Sequence, residues 1–122
     1  MNLLFVCNSN TNRSPTAKKT FDRLFKHIGL KHKIKSAGLS YGIPLTDKLL
    51  KWADLIFPMT MEEYVIISEE LGVPDNRLHV IGIGDEYAFD DSKLTTLFMY
   101  WWYYKGQQLL DTRWIKWMIG LI

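Results

Sequence analysis

Cysteine is nearly absent: Cys7 is the only one among 122 residues. One thiol excludes an intrachain disulfide, a cysteine-rich zinc site and a two-cysteine redox relay. His27, His32 and His79 stand at no ligand spacing, so no metal is implied. No Rossmann or Walker fingerprint is present, and no repeat, low-complexity tract or Gly/Pro/Ser-rich linker divides the chain. Residues 1–122 are therefore expected to form one domain, large enough to build a core without staples. Met1 to Phe5 carry no basic stretch and run straight into polar Asn8-Ser9-Asn10, which is no signal peptide. The expected compartment is cytoplasmic.

Hydrophobic residues at 48% and charged residues at 23% fit a globule and exclude a disordered chain. The net charge of +2 hides an asymmetry. Residues 1–51 hold ten Lys/Arg against Asp22 and Asp47, a balance of +8; residues 52–122 hold five basic against eleven acidic residues, a balance of −6. A basic half gathers anionic ligands. It lacks the interleaved aromatics of a nucleic-acid surface, so no nucleic-acid partner is expected.

Leu3-Leu4-Phe5-Val6 reads as a strand buried on both faces. Ser14-Pro15 reads as a helix start, Ser as N-cap and Pro at the first helical position, with Ala17, Phe21, Leu24, Phe25 and Ile28 as its apolar stripe and Gly29 as its stop. Lys33–Ala37 predicts a second strand, Thr46–Trp52 a short helix and Asp54–Pro58 a third strand. Met59–Leu71 predicts a helix capped by Thr60 with Glu63 at the capping-box position. Arg77–Ile83 predicts a fourth strand, and Asp90-Asp91-Ser92 introduces a last helical region. This alternation implies an α/β three-layer sandwich around a four-stranded parallel sheet, with the ligand beyond the carboxyl ends of the strands.

The chemistry concentrates in Cys7-Asn8-Ser9-Asn10-Thr11-Asn12-Arg13-Ser14, between the first strand and the first helix. A loop that tight turns its backbone N–H groups inward as an anion nest backed by the helix dipole. Such surroundings favour a thiolate, and Arg13 offers a planar fork for two phosphoryl oxygens. The constellation suits thiolate attack on phosphorus.

Leu4-Phe5-Val6-Cys7, Asn10, Arg13-Ser14-Pro15 and Ala17 resemble the phosphate-binding loop of low-molecular-weight protein tyrosine phosphatases, most closely their compact microbial branch. Ser36-Ala37-Gly38, Trp52-Ala53-Asp54-Leu55-Ile56 with Met59, and Asp85-Glu86-Tyr87 extend the resemblance over about residues 2 to 97. It implies a cysteinyl-phosphate intermediate on Cys7, phosphate held by Arg13 and the loop from Asn8 to Ser14, Asn10 shaping that loop, and Ser14 donating to the thiolate. It also implies Asp85 as general acid, with Tyr41 and Tyr87 beside the pocket mouth. No cofactor or metal is needed by that mechanism.

Three departures stand out. Ser9 occupies a usual Gly position, where a dihedral open to Gly costs Ser something. Asn12 replaces the second loop cysteine of eukaryotic members. Glu86 rather than Pro follows Asp85, so Asp90 and Asp91 compete for the acid role, although both read more simply as helix caps. The loop with Ser9, Asn10 and Asn12 also resembles that of the eukaryotic RNA polymerase tail serine phosphatases.

The expected function is phosphomonoester hydrolysis, as a protein phosphotyrosine phosphatase, on a phosphorylated protein or a small phosphomonoester. The alternatives are a phosphate- or phosphoprotein-binding module with little turnover, and an arsenate reductase using an external thiol; a thioredoxin-coupled reductase needs more cysteines. The aromatic segment of about residues 98–122 (Phe98, Tyr100 to Tyr104, then the stripe Leu110, Trp114, Trp117, Met118, Leu121) is too short and too charged for a membrane span. It has three readings: a closing helix, a homodimer or partner contact, or a membrane-surface helix.

Overall fold

In a computed structural model the chain is described for residues 1–40, 43–113 and 120. The Leu3–Val6 run becomes the centre of the sheet. Strand β1 (Asn2–Cys7) lies between β2 (Lys33–Gly38) and β3 (Leu55–Pro58), parallel to both, in the order β2-β1-β3. The crossovers are helix α1 (Arg13–Ile28) and helix α2 (Asp47–Trp52). Helix α3 (Met61–Val65) continues into a π-helical turn, Ile66–Glu70. Helix α4 (Ser92–Trp101), a second π turn (Trp102–Gly106) and α5 (Gln107–Leu110) follow.

A central strand must bury both faces, and β1 divides its side chains by period 2. Leu3, Phe5 and Cys7 join Phe21, Phe25, Phe57, Phe98 and Trp101 on the α1/α4 side. Leu4 and Val6 join Ala37, Leu50, Ile56 and Ile67 on the other. Phe5 stacks on Phe21 at 5.3 Å and on Phe57 at 5.0 Å, and Trp101 meets Phe21 edge-on at 5.6 Å. Gly29 closes α1 at φ 77°, where its missing Cβ removes the steric cost.

The fourth strand is not formed. After a 3₁₀ turn at Asp75–Arg77 the chain runs extended beside β3, with one bridge at Ile56–Leu78. His79 N–H donates to Ile56 O at 3.0 Å and Ile81 N–H to Pro58 O at 3.0 Å. The next rung of a parallel ladder would be a bond from residue 58 to His79 O, and proline has no N–H to give. Pro58 thus ends β3, as its sequence position suggests, and also prevents its neighbour from becoming a strand.

The start of α1 differs from expectation as well. Asn12 is the N-cap, without a side-chain cap bond, and Arg13 is the first helical residue. Ser14 and Pro15 lie at the second and third positions, where Pro still forfeits only an N–H that has no helical partner. Ser14 is fully buried, so its hydroxyl serves the interior rather than the cap.

The aromatic segment is split. Phe98, Trp101, Trp102 and Leu110 are buried over the sheet, as a closing helix requires, whereas Tyr100, Tyr103 and Tyr104 are exposed. Trp114, Trp117, Met118 and Leu121 lie outside the described residues. No helix among the described residues is long and apolar enough to cross a membrane.

Candidate active site

The carboxyl ends of the strands deliver Cys7, Gly38 and Pro58 to one edge of the sheet. Pairing continues just past Cys7: Leu39 N–H donates to Cys7 O at 3.1 Å and Ser40 N–H to Asn8 O at 2.8 Å. The loop from Asn8 to Asn12 is thereby anchored at its start by the sheet and at its end by α1.

Cys7 is 2% exposed, yet its sulfur has polar company. Ser14 Oγ lies 3.0 Å from Sγ, and the Asn10 N–H donates to it at 3.1 Å. Ser14 Oγ also lies 2.7 Å from Asn10 Oδ1 and 3.3 Å from Ala37 O. Asn10 adopts φ 52°, the left-handed region that asparagine tolerates better than most residues. The dihedral cost anticipated at Ser9 does not arise, because the left-handed residue is the next one along. Ser9 Oγ and Thr11 Oγ1 pair at 2.7 Å on the exposed side of the loop. Asn8 Oδ1 accepts from Ser40 Oγ at 3.1 Å.

Arg13 is buried and fixed at both ends of its guanidinium. Nη1 donates to Ile83 O at 2.9 Å and Nη2 to Glu63 Oε1 at 3.1 Å. The Arg13 and Glu63 side chains are 7% and 5% exposed. Glu63 has the capping-box spacing from Thr60, but Thr60 makes no side-chain cap bond. Its hydroxyl meets the Glu63 carboxylate, and the other carboxylate oxygen turns inward to Arg13. The sequence assigned Glu63 a local role; only the approach of α3 to the start of α1 reveals its partner.

A cleft of about 280 Å³ opens over this pair, lined by Asn8, Arg13, Leu39, Thr60, Glu62, Glu63, Ile66, Gly84 and Asp85. Cys7 is not among the lining residues; its sulfur packs against Ser14 and Asn10. Of the carboxylates read as acid candidates, Asp85 alone lines this cleft. Asp90 pairs with Lys19 Nζ at 2.6 Å, and its backbone N–H donates to Thr16 Oγ1 at 2.8 Å. The hydrogen bond from Lys19 holds the Asp90 carboxyl below the usual carboxylate range. Asp91 caps α4 by accepting from Lys93 N–H at 2.7 Å. Tyr87 packs beside Leu97 on α4 rather than on the cleft. Tyr41 lies outside the described residues.

The arrangement brings together a cysteine with two hydrogen-bond partners, a guanidinium and a carboxylate at a common edge. Of the acidic residues lining the cleft, Glu62, Glu63 and Asp85, Glu63 is the one paired with Arg13. Among the described residues no group of three or more His, Cys, Asp or Glu side chains is placed to hold a metal ion.

Known proteins bear on this arrangement. Residues 2–45 match the model of the family described as low molecular weight phosphotyrosine protein phosphatase. A protein-arginine-phosphatase of Bacillus subtilis (strain 168) is 29% identical over 96 residues, covering 59% of this chain and 64% of the relative. The chain thus spans less than two-thirds of that relative's length. The solution structure of a low molecular weight protein tyrosine phosphatase from Bacillus subtilis is 27% identical with a TM-score of 0.63, over 66% of this chain and 70% of that one. An arginine phosphatase mutant with a phosphorylated active-site serine superposes with a TM-score of 0.79 at 21% identity, over 93% of this chain and 98% of that chain.

Proposed function

We propose that this chain, a member of the low-molecular-weight phosphotyrosine protein phosphatase family, removes phosphoryl groups from proteins through a cysteinyl-phosphate intermediate on Cys7. The observation that carries the reading is the convergence of Cys7, Asn10, Arg13 and Ser14 on one loop, beside a cleft that Asp85 lines.

In the first step the Cys7 thiolate attacks phosphorus while the bond to the leaving atom breaks. Ser14 and the Asn10 N–H bear on the sulfur, and Arg13 with the N–H groups of Asn8 to Asn12 receives the phosphoryl oxygens. Cys7 as a residue is 2% exposed, so on this reading the loop moves outward as the anion binds. Asp85 gives its proton to the leaving atom, which otherwise departs as a poor anion. In the second step Asp85 takes a proton from water, the water oxygen attacks phosphorus, and the S–P bond breaks to restore the thiolate.

Two leaving groups fit this chemistry. Tyrosine follows from the family description, and arginine from the name of the Bacillus relative. Glu62, which lines the cleft beside the Glu63–Arg13 ion pair, favours the arginine arm, since a carboxylate attracts a cationic leaving group. The test is hydrolysis of p-nitrophenyl phosphate, phosphotyrosine peptide and phosphoarginine peptide without added metal. Cys7→Ser abolishes all three on this reading, and full turnover by Cys7→Ser overturns it.

A further inference from the structure

Glu63 is a charged group that the fold removes from water, at 4% exposure. No step of the reaction just described uses it. Its Oε1 lies 3.1 Å from Arg13 Nη2, its other oxygen meets the Thr60 hydroxyl, and the second guanidinium terminus is tied to Ile83 O at 2.9 Å. A long side chain that would otherwise sample several rotamers is therefore clamped at both terminal nitrogens before any ligand arrives.

We propose that Glu63 is a positioning residue acting through Arg13, which aligns the guanidinium fork and at the same time weakens its hold on phosphate. The inference rests on the reading of Arg13 as the phosphoryl clamp. Its first part follows from pre-organisation: a fork fixed in place loses less freedom on binding an oxyanion. The second part follows from charge. A carboxylate one hydrogen bond from the guanidinium stays within a few ångströms of any oxyanion that the same guanidinium binds, in surroundings that water screens poorly. Like charges repel there, so Glu63 opposes retention of the product. An uncompensated Arg13 would hold phosphate tightly and delay its release.

Two substitutions separate the parts. Glu63→Gln keeps an oxygen acceptor at the same reach and removes the charge. Glu63→Asp keeps the charge and withdraws the carboxylate by one methylene. Inorganic phosphate is titrated into each protein calorimetrically, and kcat and KM for p-nitrophenyl phosphate are measured alongside. Glu63→Gln is expected to bind phosphate roughly tenfold tighter, with a lower KM and kcat within a few-fold of the unaltered protein. Glu63→Asp is expected to lose roughly tenfold in kcat with no gain in phosphate affinity. A purely structural Glu63 would not produce this split. Unchanged or weaker phosphate binding in Glu63→Gln overturns the charge role, and an unchanged kcat in Glu63→Asp overturns the positioning role. If the unaltered protein neither binds phosphate nor turns over, the phosphatase reading itself fails and takes this one with it. If it turns over normally while the variants match it, only this inference is lost.

Discussion

Ser14 Oγ stands 3.0 Å from Cys7 Sγ and 2.7 Å from Asn10 Oδ1. One hydroxyl proton cannot serve both acceptors at once, so the state of the sulfur and the orientation of Ser14 are coupled. With a thiol, the S–H donates to Ser14, which in turn donates to Asn10. With a thiolate, Ser14 turns its proton to sulfur, beside the Asn10 N–H. Ser14→Ala removes that choice. Its kcat is expected to fall by roughly a hundredfold, and alkylation of Cys7 by iodoacetamide to slow in parallel. Undiminished alkylation would show that the hydroxyl does not support the sulfur.

Asp85 lines the cleft and Asp90 does not, because Asp90 is engaged by Lys19. Asp85→Asn is expected to reduce kcat by ~10²–10⁴, whereas Asp90→Asn leaves it within a few-fold. Steady-state kinetics on p-nitrophenyl phosphate distinguish the two, and the reverse ranking would move the acid role to Asp90.

His79 lies beside Phe57, with ring centroids 5.9 Å apart, and burial pushes its pKa below the ordinary value of 6.5. The unfolded chain then takes up the proton first as the solution is acidified. The contribution to stability is intact above about pH 6.5 and is lost as pH falls from there through the folded value. The Tm of the unaltered protein is expected to drop more than that of His79→Gln between about pH 7.5 and about pH 5.5. Parallel curves would remove His79 from the account.

Gly106 ends the π turn under the C-terminal aromatics, and a Cβ there would sit 2.7 Å from a ring carbon of Trp101. Trp101 is held by Phe21 and Phe57 and cannot step aside. Gly106→Ala is expected to cost ~1–3 kcal/mol, read as a lower denaturation midpoint with an unchanged slope. An unaltered midpoint would mean that this corner of the core is loosely packed.

The elements with a strong periodic signal were legible in the sequence. Leu3–Val6 gave β1, the Phe21/Phe25 stripe gave α1, and Gly29 gave its end. The loop from Cys7 to Ser14 was legible too, because strand, polar loop, Arg and helix follow one another within a few residues. What escaped depended on partners distant in the chain. Arg77–Ile83 has strand-like residues, but its pairing hung on an N–H that Pro58 lacks. Glu63 obeyed a local capping pattern while its partner was 50 residues away. For Ser14 the helix-cap reading failed, since Asn12 is the N-cap, whereas the contact with sulfur that the resemblance implied is present at 3.0 Å.

The proposed covalent step is open to direct observation. Asp85→Asn protein is mixed with p-nitrophenyl phosphate, quenched in acid within the first turnover, digested and weighed by mass spectrometry. The account predicts one phosphoryl group on the peptide that carries Cys7, and none on the corresponding peptide of Cys7→Ala. Release of p-nitrophenol with no phosphoryl group ever found on Cys7 would contradict it.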